Sequence, residues 1–93
     1  DEIAWPMPML PAYEKAMTDS KIADVRNTGT SRWAGACTAA AFLKQFVPKR
    51  DGEEIPWAHM DIAGTAWGVT SNATVTSGVT GVHVRTLHRL VTE

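Results

Sequence analysis

The chain has 93 residues, a net charge of −1 and one cysteine, so it holds at most one domain, and a chain this short buries only roughly 60–65% of its unfolded surface. Its 44% hydrophobic and 20% charged residues are those of a globular protein and exclude a disordered one. The scattered, balanced charge excludes a basic nucleic-acid patch, and no apolar run reaches the ~18 residues of a membrane span.

The lone Cys37 can form neither an internal disulfide nor a cysteine metal cluster, and fits a reducing compartment. The acidic start, Asp1-Glu2, does not resemble a signal peptide. The missing initiator Met points to a processed or excised piece.

In chain order, AWPMPML carries Pro6 and Pro8, with Pro11 following. Each proline fixes φ and removes a donor, so residues 3–9 should run extended. Pro11 suits the first turn of a short helix from about Leu10 to Thr18, ended by Asp19-Ser20. KIADVRNTGTSR is then a loop in which Asn27 and Gly29 offer left-handed geometry.

AGACTAAAFLKQFV, Ala34 to Val47, holds five alanines and is stopped by Pro48, which predicts a helix capped by Ser31 or Thr30. Gly35, Ala36, Ala39 and Ala40 form a small face suited to close packing on a sheet or second helix. Arg32 stands where a helix N-terminus would favour an anion, although a turn before a helix explains most of that stretch.

PKRDGEEIP, Pro48 to Pro56, reads as a charged surface loop, and WAHMDIAG as a strand. Ile55, Trp57, Ala58, Met60, Ile62 and Ala63 make that strand apolar on both faces, so it calls for neighbours on both sides. The chain supplies none, so most of the sheet lies outside it. GVTSNATVTSGVTG, Gly68 to Gly81, reads as an uncharged long loop, with a short paired strand over TVTSGV as the alternative, and contains a formal glycosylation triplet at Asn72. VHVRTLHRLVT reads as a helix with Val84, Leu87, Leu90 and Val91 inward, and Arg85, His88, Arg89 and Thr92 outward.

Chemistry is sparse. His59 and Asp61 would share one strand face, but a metal needs three or four donors, and His83 and His88 lie about two dozen residues away. Cys37, mid-helix among apolar residues, reads as inert packing. On residues alone this is a piece of an α/β domain.

Four segments, AWPMPML, IADVRNTGTSRWAGACTAAAFLKQFV, PWAHMDIAGTAW and GVTGVHVRTLHRLV, together resemble the C-terminal end of the leucyl aminopeptidase (cytosol aminopeptidase) family, in order and at about its spacing. The resemblance implies that residues 1–93 are the C-terminal part of an α/β catalytic domain, a mixed sheet flanked by helices, with no complete domain present. It implies a cytoplasmic enzyme that removes N-terminal residues, leucine among them, from peptides. Two divalent metals (zinc, manganese or magnesium) activate the attacking water and stabilise the oxyanion, and the family assembles as a homohexamer. The family's ligands and catalytic groups include an upstream Asn-Thr-Asp-Ala-Glu-Gly-Arg motif that is absent here; Asn27-Thr28-Gly29 only resembles its beginning.

The resemblance therefore gives this chain no catalytic residue and no metal ligand, makes His59 and Asp61 structural, and predicts that the chain alone is inactive. What it does carry over is the wall of the pocket for the substrate's first side chain, onto Ala63 and Ala66. Ser77 and His83 depart from the family's usual lysine and glycine, and Thr30-Ser31 and Ala34 from its glycines. The alternative reading is a non-catalytic structural or interaction module, whose exposed strand edges recruit partners.

Overall fold

A computed structural model of the chain describes residues 2–67 and 77–93. Among these residues are three helices and one small antiparallel sheet, an α/β arrangement in keeping with a fragment of a catalytic domain. The chain divides into two compact units, Pro6–His59 and Asp1–Trp5 with Met60–Glu93.

In the first unit, α1 spans Pro11–Thr18. Leu10 before it is extended and Pro11 takes the first helical position, where a missing N–H costs nothing. The last turn closes on itself: Thr18 Oγ1 donates to the Glu14 carbonyl at 3.1 Å, and the Asp19 N–H to the Lys15 carbonyl at 2.9 Å. Helix α2 spans Gly35–Lys44. The amides of Gln45, Phe46 and Val47 then bond three residues back, to Phe42, Leu43 and Lys44, a tightened final turn that carries the chain to Pro48.

The cap differs from expectation. Ala34, with φ 56°, precedes α2 and no side chain caps it; Ser31 Oγ instead accepts the Trp33 N–H at 3.1 Å. The left-handed positions also differ, since Asn27 and Gly29 are not among them. Gly29 matters for space: a Cβ there would stand 3.3 Å from Met17 Cε.

Helices α1 and α2 pack together around Met17, Cys37, Ala40 and Ala41, the buried apolar residues among those described. Positions 37, 40 and 41 follow the i, i+3, i+4 rule, and the stripe ends at Lys44, whose Nζ lies 2.7 Å from Glu14 Oε1. The buried face thus differs from the predicted small face, because Gly35 and Ala39 are exposed. Met17, 2% exposed, fills the space that the alanines leave.

Residues 48–56 are more ordered than a loop. Strand β1, Lys49–Arg50, pairs with β2, Glu53–Glu54, in register Lys49 with Glu54 and Arg50 with Glu53. Asp51 and Gly52 turn the hairpin with φ of 52° and 81°; two successive positive values match the right-handed twist of paired strands.

The predicted strand over WAHMDIAG does not form. A strand exists only by pairing, and the described residues offer this segment no partner. Trp57, Met60 and Ile62 are 38%, 39% and 41% exposed, so this apolar stretch stays partly open to solvent.

In the second unit, α3 spans Val84–Thr92. It begins after His83, whose φ of 64° breaks the helical path two residues later than the sequence suggested. Its predicted inner face is exposed: Val84, Leu87, Leu90 and Val91 range from 47% to 79%. Residues 68–76, with most of the predicted long loop and its glycosylation triplet, lie outside the described residues.

Candidate functional site

The turn that carries Ala63 and Ala66 is built by short polar contacts. Asp61 Oδ1 accepts the Ala63 N–H at 3.0 Å, an Asx turn of the kind aspartate favours. The Ile62 carbonyl accepts the N–H groups of Thr65 and Ala66 at 2.9 and 2.8 Å.

Thr80 then holds this turn from fifteen residues further on: its N–H donates to the Ala66 carbonyl at 3.0 Å, and its hydroxyl to the Thr65 carbonyl at 2.8 Å. The same hydroxyl accepts the Val82 N–H at 3.2 Å. Ala63 is exposed and Ala66 half-buried, so the turn presents two methyl groups on a backbone fixed at both ends. Sequence reasoning missed Thr80; the only signal was a Thr-Gly pair closing an uncharged stretch.

Of the other candidate residues, only Asp61 belongs to this turn. Asp61 is occupied as the turn's acceptor, and the His59 ring stacks on Trp57 with centroids 6.2 Å apart. Cys37 is buried in the α1–α2 contact, as expected of a packing thiol. The Arg32 guanidinium lies 4.6 Å from the Trp33 ring centroid, a cation–π contact, and borders a groove of about 620 Å³ with Met17, Asn27 and Phe42. A second groove of about 500 Å³ runs between Glu14, Lys44, Val47 and Trp57. Neither groove is lined by Ala63 or Ala66.

His88 is exposed on α3, whereas His83 is 8% exposed. Glu2 reaches the start of α3: its Oε2 accepts the Thr86 N–H at 3.1 Å and the Thr86 hydroxyl. Arg85 Nε lies 3.7 Å from its Oε1. The Thr86 hydroxyl, ahead of the backbone bonds and Arg85, holds the Glu2 carboxyl below its ordinary value against an opposing effect of desolvation.

Among the described residues, no three His, Cys, Asp or Glu side chains converge as a metal would require. The described residues by themselves therefore do not form a dinuclear centre.

The chain was compared with known proteins. The model of the cytosol aminopeptidase family, catalytic domain, matches residues 1–88. A probable cytosol aminopeptidase of Rhizobium rhizogenes is 50% identical over 93 residues, 100% of this chain and 17% of that protein. One from Methylorubrum populi is 49% identical over 92 residues, 99% of this chain and 17% of its own. A third, from Syntrophotalea carbinolica, is 50% identical over 86 residues, covering 92% and 16%. The chain thus spans about a sixth of the length of the curated relatives it matches. With a match of this extent and identity, the chain belongs to the cytosol aminopeptidase family.

Proposed function

We propose that residues 1–93 are the C-terminal part of the catalytic domain of a two-metal aminopeptidase that removes N-terminal residues, leucine-type among them, from peptides. The chain supplies core packing and, through Ala63 and Ala66, part of the pocket for the substrate's first side chain. Its partners are the peptide substrate and the remainder of the catalytic domain, which holds the two divalent ions, zinc, manganese or magnesium. The whole protein acts in the cytoplasm as a homohexamer, and this chain alone is inactive.

The observation that carries this reading is the family match across residues 1–88 in a chain that leaves Trp57, Met60 and Ile62 partly open to solvent. A family member whose apolar stretch stays partly open calls for the rest of its domain. The pinned turn supports the pocket role: small methyls on a fixed backbone leave room for a leucine side chain, whose burial contributes about 1.5–3 kcal/mol.

Replacing Ala66→Leu in the full-length enzyme tests the pocket. KM for leucine amides should rise about tenfold or more while alanine amides are less affected, since each added methylene in a pocket shifts selectivity by about 1–3 kcal/mol. Unchanged selectivity would remove Ala66 from the pocket. The purified chain, assayed with leucine p-nitroanilide alongside elemental analysis, should show no turnover; a stoichiometric metal with turnover would overturn the division of labour.

A further inference from the structure

We propose that Glu2, His83 and Thr86 form a pH-sensitive latch fastening the first residues of the chain to the start of α3. Helix α3 has no cap of its own: His83 precedes it in a left-handed conformation, with no side-chain capping bond. The first N–H groups of a helix need acceptors, and the acceptor at Thr86, its third residue, is a carboxylate 84 positions away in sequence. Glu2 binds both the N–H and the hydroxyl of Thr86. Its negative charge also sits where the helix dipole favours one.

A second, independent observation concerns His83. Its Nδ1 is buried with no hydrogen-bond partner and lies 4.0 Å from the same Glu2 Oε2. A buried polar nitrogen without a partner is costly, and this one faces a carboxylate. With the ring's proton on Nδ1, this nitrogen is a donor facing that carboxylate. The titratable and charged groups facing Glu2 among the described residues of this unit are His83 and Arg85, both at the start of α3.

As pH falls through the lowered titration of Glu2, the carboxylate is neutralised, the acceptor that Thr86 uses loses its charge, and the latch opens.

Amide NMR of the ¹⁵N-labelled chain across this pH range tests the proposal, reading Thr86 with Leu87, which bonds the His83 carbonyl, as the monitor of α3 itself. In the unmodified chain, the Thr86 amide shift should follow Glu2 titration in acid. In Glu2→Gln that inflection should vanish and Thr86 should exchange about fivefold faster at neutral pH, the ordinary consequence of losing an N-terminal cap. Faster exchange at Thr86 supports the latch whether or not Leu87 follows. The variant His83→Asn, whose side chain tolerates left-handed backbone, should keep the acid release. An acid inflection that persists in Glu2→Gln, or an unmodified chain with no inflection at Thr86, would overturn the latch; an acid inflection lost in His83→Asn would overturn its assignment to Glu2.

Discussion

Met17 shows how few side chains hold the first unit together. It is the one large side chain fully enclosed among the described residues, against a helix whose contacting positions are Cys37, Ala40 and Ala41. Small residues let the helices approach and one flexible thioether fills the gap. Met17→Ala should cost about 2–5 kcal/mol, the transfer of the side chain plus the cavity it leaves, measurable by urea denaturation. At the edge of the same contact, Lys44 is held above its ordinary value of 10.5 by its hydrogen bond to Glu14 and then by that carboxylate's charge. A raised lysine contributes stability that is fully present below its unfolded value and lost as pH rises through the folded one. Alkaline titration of helix content should therefore show a loss above pH 10.5 that Glu14→Gln removes. The pair is partly solvated, so added salt should weaken the effect.

At the scale of elements, local chemistry was legible and pairing was not. Pro11 and Pro48 mark the ends of α1 and α2 closely because a proline acts on its own neighbours. Asp51-Gly52, a strong hairpin signal, was present in the sequence and was passed over beneath the charge of the segment. Gly52, at φ 81°, should resist substitution: Gly52→Ala should cost about 1–2 kcal/mol of left-handed strain, read as loss of cross-strand NMR contacts between Lys49 and Glu54. The buried face of α2 was misassigned because two adjacent stripes are both small, and only Met17 on the opposing helix decides between them. Thr80 holding the Ala63–Ala66 turn, and Glu2 capping α3, are contacts between distant residues that no local pattern encodes. Thr80→Val keeps the size and removes the hydroxyl, so it should loosen the turn by about 0.5–1.5 kcal/mol, seen as faster exchange of the Ala66 amide.

At the scale of the whole molecule, apolar residues stand exposed on α3 and along Trp57, Met60 and Ile62. Contiguous exposed apolar surface marks an interface, and the relatives are about six times as long as the matched stretch. The sequence predicts neighbours for this segment, because it is apolar on both faces; the predicted strand is instead an unpaired stretch among the described residues. Hydrogen exchange of the amides of residues 57–62 tests the account most directly. Alone, the chain should exchange them as an unstructured peptide does; within the full-length protein they should slow by about 100-fold or more. Protection of those amides in the isolated, monomeric chain would contradict it.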